Sequence, residues 1–62
     1  MKTYTYYDFD ICYSIKGENI VHMTIIDGVS LSHVVGLLAF LHNVSAEEIE
    51  VHKAIRWGKG VL

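Results

Sequence analysis

The side chains in this 62-residue chain that can ligate a metal or support nucleophilic chemistry are foremost four histidines and one cysteine. His33 and His42 are nine residues apart, so a helix would place them on opposite sides. His22 and His52 fall on predicted strands, and we expect both on the sheet face away from the helix, with Cys12 between them. These residues are better explained as exposed neighbours without a chemical role, because a working site also needs a shaped pocket and supporting partners. We therefore predict no metal, no cofactor and no catalytic residue.

A second cluster lies near the amino terminus, where four tyrosines and two aspartates fall within residues 4–13. The alternation predicts that some of them share an exposed strand face and form an acidic, aromatic patch that binds a basic surface of another protein. The residues of this predicted patch are Tyr4, Tyr6, Asp8 and Asp10. A competing interpretation is structural, because tyrosine and phenylalanine favour strands. Catalysis by the two aspartates is not expected, because nothing indicates that they are buried.

Composition excludes several classes of partner. The net charge of −2 and the isoelectric point near 6.0 provide no basic patch, so we predict no nucleic-acid binding. The longest apolar run, residues 34–41, is far shorter than the roughly 20 residues that span a bilayer, and the amino terminus lacks the apolar stretch of a secretory signal. One cysteine without a partner favours a reducing compartment. We therefore expect a cytoplasmic protein that does not act at a membrane.

Hydrophobic periodicity predicts three strands and one helix in a single small α+β domain covering residues 1–62. Residues 4–15 and 20–26 read as a hairpin around the turn residues 16–19. Ser30 is the expected N-cap of a helix over residues 31–44. Ser45 and Glu48 have the spacing of a capping box on a short turn, and a third strand follows from residue 49.

The order β-β-α-β predicts a three-stranded antiparallel sheet in the order 2-1-3 with the helix on one face. For the hairpin we prefer an odd loop, which places Met23 and Ile25 under the helix; an even loop would place His22 and Thr24 there instead. The third strand is expected to bulge at Lys53 or to leave that side chain at an edge. The residues expected to face the helix are Phe9, Ile11, Met23, Ile25, Val51 and Ile55. Val21 and Trp57 fall on the same alternation and are expected on that side too.

The predicted helix is apolar over most of its circumference, which is typical of a helix buried on more than one side. We expect Leu31, Val34, Val35, Leu38 and Leu41 to face the chain's own sheet. A line of small residues on the helix would then contact a second copy, together with two apolar neighbours. The small residues are Ser32, Gly36, Ala39 and Asn43, and the apolar neighbours are Leu37 and Phe40. A chain of this size buries only about 60% of its unfolded surface, so association would add stability that its own core lacks.

These features favour a homo-oligomeric, non-catalytic protein that binds or inhibits another protein. Its size alone suggests a product of a phage or mobile element that blocks a host enzyme. An alternative is an oligomeric protein that binds or sequesters a small molecule or nucleotide in a pocket between subunits, lined by tyrosines and histidines. A third class is a small enzyme that uses Cys12 with His22 or His52.

Overall fold

A computed structural model describes residues 5–61 as a sheet with one helix across it. The strands are β1 (Thr5–Ile15), β2 (Val21–Gly28) and β3 (Ile49–Val61). The helix α1 (Leu31–His42) follows β2, and a 3-10 turn (Ala46–Glu48) leads into β3. Both neighbours of β1 run antiparallel to it, in the order β2-β1-β3. The predicted α+β fold, element order and strand order are confirmed.

The core is organised by the alternation along β1, because its helix-facing side chains are the most deeply buried row of the sheet. This row and its partners on α1 and β3 form one cluster: Phe9, Ile11, Tyr13, Ile15, Val34, Leu38, Ala39 and Ile49. As the central strand, β1 has a hydrogen-bonded neighbour on each side. Its apolar row therefore lies under the middle of the helix, where water is most completely excluded.

The ends of α1 are set by local side-chain and backbone bonding. The Ser30 hydroxyl accepts a hydrogen bond from the His33 backbone N–H at 3.1 Å, which confirms the predicted N-cap. The helix ends two residues earlier than predicted, because Asn43 adopts the left-handed conformation with φ 56°. The predicted capping box is also present, with the Ser45 N–H donating to the Glu48 carboxylate at 2.9 Å.

The preferred register of β2 is wrong by one residue. Pairing begins at Ser14 with Val21, and the residues between them, 15–20, are even in number. The chain turns early, since the Glu18 N–H donates to the Ile15 carbonyl at 2.9 Å and Gly17 has a φ of 89°. The even-loop alternative is therefore correct, and one row of β2 lies beside the helix-facing row of β1: His22, Thr24 and Ile26. The row expected there, Val21, Met23 and Ile25, points away from the helix and is exposed.

The bulge considered for β3 is present, one residue before Lys53, and it corrects the predicted facing of two apolar residues. The register shifts between Cys12 and Tyr13, whose partners are Lys53 and Val51, so His52 is the extra residue. Val51 lies opposite Tyr13, a helix-facing residue, and therefore takes the side of the sheet that was predicted for it. Beyond the bulge, Ile55 lies opposite Asp10.

Trp57 lies opposite Asp8, so it shares the face of Ile55, away from the helix. Both residues had been assigned to the core side by simple alternation, and the bulge reverses that assignment. Arg56 takes the helix side instead, where its guanidinium lies 4.5 Å from the centre of the Tyr7 ring.

Two glycines give a matched test of this packing. A Cβ on Gly28 would lie 2.6 Å from Cγ2 of the fully buried Val34, whereas a Cβ on Gly36 would have no atom within 4 Å. We expect Gly28→Ala to lower the free energy of unfolding by about 1–3 kcal/mol through overpacking. Gly36→Ala should raise it by about 1 kcal/mol through helix propensity. Urea unfolding at low protein concentration checks both, and an unchanged midpoint for Gly28→Ala would contradict the close contact between β2 and α1.

Candidate interaction surfaces

The sheet surface opposite the helix, here called the open face, is rich in exposed apolar side chains. Its outer rows carry Met23 and Ile25 on β2 and Ile55 and Trp57 on β3. The Met23 side chain is 82% exposed and that of Ile25 is 71% exposed. Single exposed apolar residues are ordinary, whereas several on one sheet face are a feature of surfaces that pack against a partner.

A shallow groove of about 370 Å³ lies between these outer rows. Its floor is formed by the shorter side chains of β1, Asp10 and Cys12, and its walls by the larger side chains of β2 and β3. Lys53 lies beside Cys12 at the edge of the same groove. The open face therefore combines apolar walls with a polar, acidic floor.

Trp57 is held on this face by a hydrogen bond to the groove floor. Its indole N–H donates to Asp10 Oδ2 at 3.2 Å, across the two strands. The indole nevertheless remains more than half exposed. An aromatic ring oriented by a carboxylate is thus presented to whatever packs on the open face.

The outer surface of α1 forms a second apolar patch, here called the helix patch and consisting of Leu37, Phe40 and Leu41. Phe40 is 85% exposed and Leu41 is 71% exposed. The helix contains no aspartate, glutamate, lysine or arginine, so this patch carries no permanent charge of its own. Such a surface can pack on an apolar partner without burying an ion.

The structure divides the small-residue line that was predicted for self-association. Ser32, Gly36 and Asn43 are exposed, but Ala39 is buried against the chain's own core. Leu41 had been expected against the sheet and instead points outward. The helix is rotated toward the side that carries His42, which contacts Tyr13 on β1, and this rotation buries Ala39 and exposes Leu41.

The predicted acidic, aromatic patch is also divided. Tyr4 lies outside the described residues. Asp8 and Asp10 share the open face, and both are half-buried. Tyr6 lines a different hollow with His33 and the end of β2. Two of the four predicted binding residues therefore belong to one surface with Trp57, which the sequence pattern had assigned to the core.

A polar cluster that the sequence analysis missed lies under the carboxyl end of α1. Tyr13 Oη and His42 Nε2 are hydrogen bonded at 2.7 Å, and the Tyr13 ring stacks on His22 with the ring centres 5.0 Å apart. The rings of His22 and His42 are 4.9 Å apart. The Nε2 atom of His22 is buried with no hydrogen-bond partner among the described residues, and it lies 4.0 Å from a Glu18 carboxylate oxygen. The sequence could have indicated this cluster through the even-loop alternative, which places His22 on the helix side of the sheet.

The predicted meeting of Cys12 with two histidines does not occur. His22 lies on the helix side of the sheet, while Cys12 and His52 lie on the other. His52 Nε2 is hydrogen bonded to the Ser14 hydroxyl at 2.7 Å. Within residues 5–61, no group of three histidine, cysteine, aspartate or glutamate residues is arranged to hold a metal ion. The described geometry therefore offers two contact surfaces and a polar packing cluster.

Comparison of the chain with protein-family models, curated proteins and solved structures gives no match. In the part of the chain that the structure describes, no helix has the length and apolar character needed to cross a membrane.

Burial of Tyr13 raises the pKa of its hydroxyl above the ordinary value of 10.0, because the apolar surroundings disfavour the phenolate. At neutral pH, Tyr13→Phe should lower the free energy of unfolding by about 1 kcal/mol through loss of the bond to His42. The raised pKa contributes stability that is present below pH 10.0 and lost as the pH rises through the folded-state value. The difference between the wild type and Tyr13→Phe should therefore shrink above pH 10.

Urea unfolding from pH 7 to pH 11 measures this difference. Tyr6→Phe is the control, because it removes a hydroxyl from a residue outside the buried core. A constant difference between the wild type and Tyr13→Phe across this range would contradict a buried, neutral Tyr13.

Proposed function

We propose that this chain is a non-catalytic protein-binding protein that works as a homo-oligomer, with the helix patch as the self-contact and the open face as the partner surface. The observation that carries the proposal is the presence of apolar surfaces on both sides of a two-layer fold. One helix covers one side of the sheet and leaves the other side uncovered. Each exposed layer therefore favours an additional protein layer.

The charges on the two surfaces support a different partner for each. In a two-fold interface, the same patch of both copies meets, so every charge of that patch is buried twice in one interface. The open face carries Asp8 and Asp10 along its middle strand and Lys53 beside them, so a two-fold contact there would bury four carboxylates with only two ammonium groups. The helix patch has no such penalty, because α1 has no acidic residue and no lysine or arginine. Self-association is therefore favoured at the helix patch.

The open face has the character of a surface for a different protein. It combines exposed apolar anchors with a tryptophan, which is among the residues enriched in binding hot spots. We further propose an inhibitory role in a reducing, cytoplasmic compartment, in which a phage or mobile-element protein blocks a host enzyme. The small size of the chain and the single thiol of Cys12 support this setting.

The open-face groove also favours one alternative, an oligomer that binds a small molecule. Its volume of about 370 Å³ lies at the lower end of the range of roughly 300–1,000 Å³ for ligand pockets. The groove is open to solvent on one side, so a second subunit would have to cover it to form a closed pocket. Thermal-shift measurements against nucleotides and metabolites separate the two functions, because stabilisation by a small molecule supports the alternative.

Light scattering at micromolar concentration tests the self-contact. We expect the wild type to be a dimer or larger, and Phe40→Lys to raise the dissociation constant at least tenfold by placing an ammonium group in the helix patch. Glu47→Lys, a charge change at an exposed residue outside the patch, should leave the oligomer intact. A compact wild-type monomer, or equal effects of both variants, would refute the assignment.

Affinity purification of tagged chains from the native cell tests the partner surface. We expect the wild type to retain one specific protein, and Ile25→Lys to lose it because the new charge lies on the open face. Asn19→Lys, which adds the same charge in the exposed hairpin loop, should retain the partner. Retention by Ile25→Lys at the wild-type level would argue against the open face as the binding surface.

A further inference from the structure

The open face is wide enough for one α-helix to pack on it. The walls of its groove rise from β2 and β3, which lie about 10 Å apart across β1 at the usual strand spacing. A helix with its side chains is about 10–12 Å across and packs on a sheet through an apolar stripe. The opposite side of this sheet is already covered in this manner by α1. A helix laid along β1 would contact Met23 and Ile25 on one side and Ile55 on the other.

The acidic floor makes a purely apolar helix an unfavourable occupant. Asp10 lies at the centre of the groove, and an apolar helix would remove water from its carboxylate. The indole N–H of Trp57 satisfies only part of the hydrogen-bonding capacity of that carboxylate, which can accept about four hydrogen bonds. Lys53 lines the same groove, but in the described residues it forms no ion pair with Asp10. A cation from the partner would compensate the buried charge.

Trp57 supplies the second half of a cation site. Its indole is fixed beside the Asp10 carboxylate and is more than half exposed. Tryptophan is the aromatic side chain that attracts lysine and arginine most strongly through its ring face. A carboxylate of the groove floor and an exposed indole on the neighbouring β3 row therefore lie side by side.

We propose that the open face binds an amphipathic helix of a partner protein, and that a single lysine or arginine within the apolar stripe of that helix docks between Asp10 and Trp57. This inference rests on the proposed function and specifies the chemistry of the partner. The apolar walls would supply the contact area, and the charge pair would fix the register of the helix in the groove.

Designed helical peptides of 18 residues test this proposal with the full-length protein. Each peptide contains no tryptophan and carries a stripe of leucines along one face of the helix. The residue at the centre of that stripe is lysine, norleucine or glutamate. Trp57 is the only tryptophan of the chain, so its fluorescence reports binding at the groove. We expect the lysine peptide to bind at least tenfold more tightly than the norleucine peptide, and the glutamate peptide to bind most weakly.

Asp10→Asn removes the charge and retains an oxygen that can accept from Trp57. This variant should reduce the preference for lysine over norleucine to less than threefold. Glu47→Gln, an equal charge change at an exposed residue of the 3-10 turn and outside the open face, should retain the full preference. Equal binding of the lysine and norleucine peptides to the wild type, or a lysine preference that survives Asp10→Asn, would overturn the inference.

The outcomes also separate this inference from the proposed function. If Ile25→Lys loses the cellular partner and Asp10→Asn retains it at the wild-type level, the open face binds a protein without the cation site, and only the inference fails. If no peptide binds and Ile25→Lys dissociates the oligomer, a second copy covers the open face. That result would overturn both the inference and the assignment of the helix patch as the self-contact.

Discussion

The row of apolar side chains on the helix-facing side of β1 is the constraint on which the rest of this structure depends. Phe9, Ile11, Tyr13 and Ile15 are all buried, and they require a covering layer on that side of the sheet. The single helix of 12 residues, about 18 Å long, provides that layer on one side only. Within the described residues 5–61, nothing covers the opposite side of the sheet, although β2 and β3 place large apolar residues there.

The placement of the helix depends on a polar contact within this apolar setting. The bond between Tyr13 and His42 joins the carboxyl end of α1 to the central strand, and His22 stacks on the same tyrosine. A hydrogen bond has a stricter geometry than an apolar contact, so it restricts the rotation of the helix. The outward direction of Leu41 and the burial of Ala39 follow from this rotation.

Charge makes the two exposed surfaces different although both are apolar. The helix patch is uncharged, whereas the open face has aspartates along its centre and an indole bonded to one of them. An uncharged patch suits contact with an identical copy, and a charged groove suits a partner with the complementary charge. The same small fold thus presents two surfaces with different requirements, which supports a protein that both associates with itself and binds another chain.

The sequence by itself determined the features that depend on neighbouring residues. The alternation of β1, the Ser30 cap, the capping box at Ser45 and the order of the strands were all predicted correctly, because each arises from local periodicity, local hydrogen bonding or the handedness of a connection.

Tertiary structure alone decided which sheet face receives Met23, Ile25, Ile55 and Trp57. The early turn after Ile15 and the bulge at His52 each shift the register by one residue, and one residue reverses the facing of all side chains beyond it. Such a shift is fixed by pairing between distant strands and by the packing of α1, so local alternation left it undetermined.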